Sequence, residues 1–249
     1  MTDDTPALPP PEEQERRTLE PGLHLVATPI GNLRDVTHRA LDVLTHATCI
    51  ACEDTRHTVR LLQHYQIRNH LISLNEHNEA RRIPELLAKM ADGAAIALVS
   101  DAGTPTVSDP GQRLAQAAVA AGVKLHPVPG PSAVLTALSG SGLPVTPFYF
   151  GGFLHHKKGA RTTELSAAIQ RDCTSVYFES PYRILSTLEI LTELAPEHKV
   201  VVGRELTKRF EEFQRGAARF LLKHYTDKPA KGEITLLIAP HQLPKWITW

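Results

Sequence analysis

The segment V-S-D-A-G-T-P-T-V-S-D-P-G, from Val99 to Gly111, decides how the rest of the chain is interpreted. An apolar run, Ala94 to Val99, leads into it, and a helix-like run, Gln112 to Ala121, leads out of it. The segment is therefore predicted to be the loop at the carboxyl end of a strand, where open α/β sheets bind their ligands. Its glycines allow positive φ angles and close approach of a ligand, and Ser108 or Asp109 is expected to cap the following helix.

Short apolar runs alternate with segments of helical spacing along the chain. In the N-terminal half, β-compatible runs occur at five places, namely 23–30, 48–52, 70–74, 94–100 and 123–128. Because helical spacing occupies the stretches between them, we predict an α/β fold with a mainly parallel, doubly wound sheet. The C-terminal half has fewer helices per strand, which indicates a mixed, α+β sheet there.

Changes in composition divide the chain into three regions. Gly and Pro concentrate between Gly140 and Pro147, as at many domain boundaries. The first residues are acidic and rich in proline, which is typical of disorder. We therefore expect a disordered tail over residues 1–21, an N-terminal α/β domain over 22–144 and a C-terminal α+β domain over 145–249.

Composition also limits the class of protein. The 249 residues include 27 basic and 27 acidic ones, so a uniformly basic nucleic-acid coat is excluded and RNA contacts must use a local patch. The apolar runs are too short for a membrane span and no signal-peptide core is evident, so we expect a cytoplasmic protein. Cys49 and Cys52 form a C-x-x-C pair without a second ligand pair; we therefore expect buried thiols and no metal site.

Polar clusters follow four of the predicted strands, at residues 32–35, 53–56, 75–79 and 101–104. Each alone is typical of a solvated turn. Because the carboxyl ends of parallel strands share one edge of a sheet, however, the four clusters are expected to converge. The fingerprints of dinucleotide binding, of phosphate-binding P-loops and of the hydrolase nucleophile elbow do not occur at the required places, which disfavours those three functions.

Several motifs together resemble the ribosomal RNA small subunit methyltransferase I family, within the tetrapyrrole methylase superfamily. They are, besides the Val99 to Gly111 loop, T-P-I-G-N-L-R-D-V-T (28–37), A-C-E-D-T-R-H-T (51–58), P-G-P-S-A (129–133), and G-R-E-L-T-K (203–208) with K-G-E (231–233). The resemblance implies two α/β domains with S-adenosylmethionine in the cleft between them, usually in a homodimer. It also implies methylation of the ribose 2′-oxygen of a cytidine in the decoding region of 16S ribosomal RNA, on the small ribosomal subunit.

The resemblance also implies which residues contact the cofactor. In the N-terminal half these are Pro29 after the first strand, the loop residues Asp101, Ala102 and Gly103, and the pair Ser132 and Ala133 after P-G-P. In the C-terminal half, loops in matching places supply Glu179, Leu206 and Gly232.

Methyl transfer to a ribose hydroxyl needs a group that removes the hydroxyl proton, because the neutral hydroxyl is a poor nucleophile. The candidates at the predicted strand ends are the carboxylates Asp35, Glu53, Asp54 and Glu79, and the residues leave the choice between them open. Arg34 and Arg56 are candidates for orienting the phosphodiester, because guanidinium binds phosphate bidentately. The alternative for each arginine is an ion pair with its neighbouring carboxylate.

A basic loop supplies the best local patch for RNA. It contains Lys157, Lys158 and Arg161, and Arg183 and Lys208 with Arg209 are expected to extend it. Three contacts to the phosphates of a single strand predict a contribution of about −2 to the slope of log affinity against log salt.

Two other functions stay open at this stage. One is methylation of a tetrapyrrole or of a modified protein side chain, as in other branches of the superfamily. The other is a non-enzymatic role in ribosome assembly that uses the same cleft only for binding. The E-D-T-R and S-D-A-G-T-P motifs favour RNA methylation over the first of these, and the intact cofactor motifs argue against the second.

Overall fold

The computed structural model describes residues 18–244 and residue 247. Residues 1–17 of the predicted tail lie outside the described residues. In the rest of the predicted tail, Leu19 packs against the buried cluster that contains Val26 and Leu44, and Glu20 forms an ion pair with Lys124. None of the helices in the described part of the chain is both long enough and apolar enough to cross a bilayer.

The N-terminal half is built on a five-stranded parallel sheet. Its strands are β1 (Gly22–Val26), β2 (Cys49–Cys52), β3 (Leu71–Ser73), β4 (Ala95–Val99) and β5 (Leu125–Val128), in the spatial order β3-β2-β4-β1-β5. Every neighbouring pair is parallel. The predicted parallel sheet is confirmed.

Helices cover both faces of this sheet. They are α1 (His38–His46), α2 (Thr55–His64), α3 (Glu79–Ala91) and α4 (Gln112–Ala120), whereas the fifth helix of this half, α5 (Ala133–Ser141), packs against the C-terminal half. Leu44 of α1 and Leu61 of α2 belong to one buried cluster, whereas Leu86 of α3 and Leu114 of α4 belong to another. Two separate cores on one sheet are what a doubly wound arrangement requires.

The C-terminal half contains a mixed sheet, as predicted. Its elements are β6 (Phe148–Phe153), α6 (Lys158–Gln170), β7 (Thr174–Glu179), α7 (Ile184–Leu194), β8 (Lys199–Arg204), β9 (Glu212–Ala217), α8 (Ala218–Asp227) and β10 (Ile234–Ile238). The order is β6-β7-β10-β8-β9, with β6 parallel to β7 and the other pairs antiparallel. Helices α6, α7 and α8 pack together over one face.

Helix α5 joins the two halves. Val134 and Leu138 on this helix share a buried cluster with Val176 and Leu237 of the second sheet. The Arg215 guanidinium on β9 donates hydrogen bonds to the carbonyls of Gly140 and Ser141 at the C-terminal end of α5, where the helix dipole favours a cation. The helix therefore covers the second sheet although it precedes the predicted boundary; the boundary at residue 145 stays a prediction.

The cap predicted for α4 is wrong. Neither Ser108 nor Asp109 caps the helix; Gly111 stands at the N-cap position with a φ of 101° and no side-chain hydrogen bond closes this end. The Asp109 carboxyl accepts a hydrogen bond from Ser100 instead. A Cβ atom on Gly111 would lie 2.6 Å from Leu98 Cδ2, so this position requires glycine both for its φ and for space.

Candidate active site

The loops after β1 and β4 lie side by side at the carboxyl edge of the first sheet. The Thr28 N–H donates to the Gly103 carbonyl at 2.9 Å, and the Gly103 N–H donates back at 3.0 Å. Gly103 has a φ of 80°, and its missing side chain leaves the backbone of this loop open to a ligand. The sequence-predicted ligand loop is thus fixed directly to the turn after the first strand.

A cavity of about 410 Å³ lies between this loop and the second sheet. Both halves line it: Ser132 and Ala133 come from the start of α5, whereas Phe153, Glu179 and Gly232 come from the C-terminal half. Its size falls within the range of sites for ligands of drug or cofactor size. The predicted cleft between two α/β units is therefore present in the fold.

Seven of the nine residues expected to contact the cofactor line this cavity, namely Asp101, Ala102, Gly103, Ser132, Ala133, Glu179 and Gly232. Pro29 lines a smaller neighbouring pocket instead. Leu206 is buried in the core cluster that also contains Ile30, so it lies behind the cavity wall. Pro29 and Leu206 are apolar residues that follow predicted strands. Such a residue can line a cavity or lie in the core beneath it, and the sequence alone does not distinguish the two positions.

The cavity is acidic. Asp101, Asp109, Glu179 and Glu233 line it, and its lining in the described chain includes no Lys or Arg. Burial raises the pKa of Asp109 to about 6, and the nearby charge of Asp101 acts in the same direction. Glu179 is buried and paired with Arg183 at 2.8 Å. Glu233 is paired with Lys208 at 3.0 Å. The other two carboxylates, Asp101 and Asp109, favour a ligand that carries positive charge.

The carboxylates that sequence reasoning offered as bases do not line this cavity or the smaller pocket beside it. Asp54 accepts hydrogen bonds from Arg56, which hold the pKa of its carboxyl well below the usual range. Burial raises the pKa of Glu53. Glu79 is buried in α3 with Arg113 at 3.9 Å, and Asp35 is exposed on a 3₁₀ turn. Of the two roles considered for Arg56, the structure therefore contains the ion pair with its neighbouring carboxylate, Asp54.

The smaller pocket, of about 120 Å³, adjoins the cavity because Asp101 lines both. His57, one turn into α2, lies on its wall with its Nδ1 atom 3.8 Å from Asp101 Oδ2. Sequence reasoning missed His57. The available signal was its position in the E-D-T-R-H-T segment, four residues before Leu61, which also lines the pocket and shares its helix face.

Lys157 and Lys158 are exposed at the N-terminus of α6, as the RNA hypothesis requires. Arg161 is a correction: it is only 5% exposed and donates a hydrogen bond to Ser186 at 3.1 Å. It lies four residues before the buried Leu165, so it occupies the inner face of the helix and is not presented to RNA. Arg34 is exposed after β1.

The proposed extensions of the basic loop are engaged within the protein. Arg183 bonds to Glu179 and to His156, while Lys208 forms ion pairs with Glu205 and Glu233. The Arg209 guanidinium lies over the ring of Phe210. These contacts leave Lys157 and Lys158 as the uncommitted cations of the predicted patch.

An exposed tyrosine stands beside this patch. Tyr182 is 95% exposed, the highest value among the large hydrophobic side chains of the described residues. Its neighbours Ser180 and Pro181 line the cavity, and its N–H donates to Ser180 Oγ. Arg183, the next residue, bonds to the Leu154 carbonyl and to His156, so it joins this turn to the loop that carries Lys157.

Among the described residues no group of His, Cys, Asp or Glu side chains is arranged to hold a metal.

Comparison with known proteins defines the class. Residues 22–221 match the family Tetrapyrrole (Corrin/Porphyrin) Methylases, and the chain therefore belongs to this family of S-adenosylmethionine-dependent methyltransferases. Solved structures agree at the level of fold. A uroporphyrin-III C-methyltransferase from Thermus thermophilus, complexed with S-adenosylhomocysteine, is 16% identical with a TM-score of 0.62 over 87% of this chain and 96% of its own. A diphthine synthase is 15% identical with a TM-score of 0.66 over 87% and 89%.

Curated relatives are more specific. Three that carry the name Ribosomal RNA small subunit methyltransferase I come from Mesorhizobium japonicum, Vibrio cholerae and Escherichia coli O157:H7. The first is 49% identical over 90% of this chain and 77% of its own length. The second is 48% identical over 88% and 77%, and the third is 44% identical over 88% and 78%.

Proposed function

We propose that this protein transfers a methyl group from S-adenosylmethionine to the ribose 2′-oxygen of a cytidine in the decoding region of 16S ribosomal RNA. The observation that carries the proposal is the acidic cavity between the two halves, lined by seven residues of the family's cofactor motifs. The names of the relatives, at 44% to 49% identity, support small-subunit ribosomal RNA as the substrate.

The residues of the cavity fit the methyl donor. S-adenosylmethionine carries a sulfonium and an ammonium cation, which match the carboxylates of Asp101 and Asp109. The N–H and C=O of Gly103 are bonded to Thr28, so the neighbouring backbone of this loop and the start of α5 after Ser132 are the proposed source of N–H and C=O groups for its polar ends. When bound, the cofactor supplies an electrophilic methyl group; the contribution of the protein is to fix the acceptor oxygen in line with it.

Single-stranded RNA suits the rim of this cavity. Lys157 and Lys158 offer charge for phosphates that is not paired within the described residues, and the exposed Arg34 is proposed as a further phosphate contact. Tyr182 offers a flat, exposed ring held on a hydrogen-bonded turn. Proteins that recognise unpaired RNA combine basic grooves with aromatic rings on which bases stack. A decoding-region nucleotide would be read in this splayed form.

A homodimer in the cytoplasm completes the proposal. Val145, Phe148 and Tyr149 are large apolar side chains that remain 38% to 48% exposed on and just before β6, an edge strand of the second sheet. Exposed apolar side chains next to an unpaired strand edge favour association with a second copy. Light scattering of the purified protein is expected to give twice the mass of one chain.

The test uses labelled S-adenosylmethionine with three acceptors in parallel: small ribosomal subunits, free 16S RNA and a porphyrinoid precursor. We expect label in the RNA of the subunits, at one cytidine whose 3′ phosphodiester resists alkali because its 2′-oxygen is methylated. Label in the porphyrinoid alone would establish the tetrapyrrole alternative. Tight binding to subunits with no label in any acceptor would instead establish a non-enzymatic assembly role.

A further inference from the structure

We propose that His57 is the general base of the methyl transfer and that Asp101 orients its ring; this inference rests on the proposed function. A base must come within hydrogen-bond reach of the acceptor hydroxyl. His57 and Asp101 are the titratable pair that lines the small pocket next to the cofactor cavity. The pocket is smaller than the 300 to 1,000 Å³ of typical sites for drug-sized ligands, which suits the sugar of a single nucleotide.

The geometry of the pair assigns the two ring nitrogens. Nδ1 of His57 faces Asp101 Oδ2 at 3.8 Å, and the other oxygen of Asp101 accepts the Asp54 N–H at 3.1 Å. This hydrogen bond ties the Asp101 carboxylate, in the loop after β4, to the backbone at the start of α2. With Nδ1 directed to Asp101, Nε2 is the nitrogen available to the substrate. Such contacts are commonly loose without substrate and shorten in the reacting complex.

The carboxylates offered by the sequence are less suited. Glu53, Asp54, Glu79 and Asp35 are all missing from the lining of both pockets. Asp54 is also held by Arg56, and an ion-paired carboxylate with a lowered pKa is a weak base. Asp101 itself reaches both pockets, but its oxygens face Asp54 and His57.

The O–H bond of the 2′-hydroxyl breaks and its proton moves to His57 Nε2, while the oxygen forms a bond to the methyl carbon. The electron pair of the broken carbon–sulfur bond stays on sulfur, which becomes a neutral thioether. The positive charge of the sulfonium thus reappears on the imidazolium, next to the negative charge of Asp101.

Several charged groups surround His57 and influence its protonation. Asp101 faces it from the loop after β4, Asp54 lies at the start of its own helix, and Arg60 lines the same pocket one turn further on. The turn after β1 contributes the uncharged residues Thr28, Pro29 and Leu33 to this wall. Any pH dependence of the step therefore reports on this set of groups together.

The test compares His57→Gln with His64→Gln, a matched substitution of an exposed histidine at the far end of α2. We expect His57→Gln to lower kcat by about 10²- to 10⁴-fold, the usual contribution of a general base. Its affinities for S-adenosylhomocysteine and for RNA should stay within twofold of the unmodified protein. The acidic limb of the pH–rate profile should flatten in this variant and persist in His64→Gln. Added imidazole should restore part of the activity of His57→Ala.

Three results would overturn the assignment. The first is a His57→Gln variant that keeps a third or more of the kcat. The second is loss of kcat accompanied by equal loss of cofactor or RNA affinity, which would indicate a structural role. The third is the same loss in Glu53→Gln with an unchanged His57→Gln, which would move the base to Glu53. If the unmodified protein transfers no methyl group to small subunits, the proposed function itself fails, which is a different outcome from these three.

Discussion

The role assigned to Asp109 differs between the sequence and the structure. By position it looked like a helix cap, yet it lines the cavity, bonds to Ser100 and has a pKa raised by burial to about 6. In its ionised form it attracts a cationic ligand, and below about pH 6 it becomes neutral. Protonation of the Asp109 carboxylate and binding of the positively charged cofactor therefore oppose each other.

We predict that affinity for S-adenosylmethionine falls as the pH drops through about 6, whereas affinity for the neutral thioether S-adenosylhomocysteine changes less. Asp109→Asn should lower affinity for S-adenosylmethionine about 3- to 10-fold at pH 8, the order expected for losing one nearby charge in a partly solvated site. It should also remove the pH dependence near 6. Calorimetric titrations at pH 8, 6.5 and 5.5 measure this. An Asp109→Asn protein with the same pH dependence as the unmodified one would contradict the role of this carboxyl.

At the scale of elements, the N-terminus of α6 carries charge of the unfavourable sign. Lys157 stands at its N-cap position without a capping hydrogen bond, and Lys158 is its first residue. A helix N-terminus favours anions, so two lysines there cost stability. Such a cost is expected where a surface serves binding.

We predict that replacing Lys157 and Lys158 by Ala weakens RNA binding and slightly stabilises the fold, by about 0.3–1 kcal/mol per lysine. Because Arg161 is buried, the two lysines are expected to contribute about −1.4 to the salt slope. The double variant should therefore have a slope that is less negative by about 1.4, where three contacts would have given about 2. Arg161→Ala serves as the contrast. It should lower the urea midpoint because it leaves a gap in the α6 packing. An unchanged salt slope in the double lysine variant would exclude this surface from the RNA interface.

The junction between the cofactor loop and α4 depends on a single glycine. We predict that Gly111→Ala lowers the free energy of unfolding by at least about 2 kcal/mol, because it adds both a strained φ and a close contact with Leu98. Gly122→Ala, at the other end of α4, is the matched control. Gly122 also has a positive φ, but its Cβ would meet no atom within 4 Å, so it should show only the smaller backbone cost. Equal losses in urea unfolding of the two variants would contradict the packing contribution.

At the scale of the whole molecule, buried histidines make the fold sensitive to acid. Burial lowers the pKa of His24 on β1 and of His198 before β8. The unfolded chain therefore takes up protons below about pH 6.5 that the folded chain does not, and stability decreases as pH falls through this range. The raised pKa of Asp109 works in the opposite direction between about pH 6 and 4, because there the folded state binds the extra proton.

We accordingly predict a urea midpoint that is nearly constant above about pH 7, decreases as the pH falls through about 6.5, and decreases less steeply below about 6. His24→Gln should reduce the slope in the upper range, while Asp109→Asn should steepen it in the lower range. Urea unfolding followed by circular dichroism at half-unit pH steps measures both slopes. A midpoint that is constant between pH 7.5 and 6 would contradict the histidine contribution.

The sequence predicted the fold better than the chemistry, for a physical reason. Periodicity and the Gly and Pro positions report on neighbours along the chain, and they located the five strands of the first sheet and the loop at Val99 to Gly111. The His57–Asp101 pair joins the helix after β2 to the loop after β4, so no local pattern contains it. Arg161 was misjudged although its signal was present: its spacing from Leu165 places both on one helix face. The charge of Arg161 suggested an exposed position, whereas its spacing from Leu165 indicated a buried one.

The position of α5 has a consequence for how this protein can be divided. The helix begins at the cofactor cavity, is encoded with the first sheet and buries Val134 and Leu138 against the second. If the chain were divided at the Gly- and Pro-rich link, the first fragment would expose the apolar face of α5. The second fragment would expose the face of the sheet that α5 covers. We expect such fragments to be insoluble when made separately and to recover only when made together. Selection therefore acts on both halves at once, and neither can be inherited as an independent module.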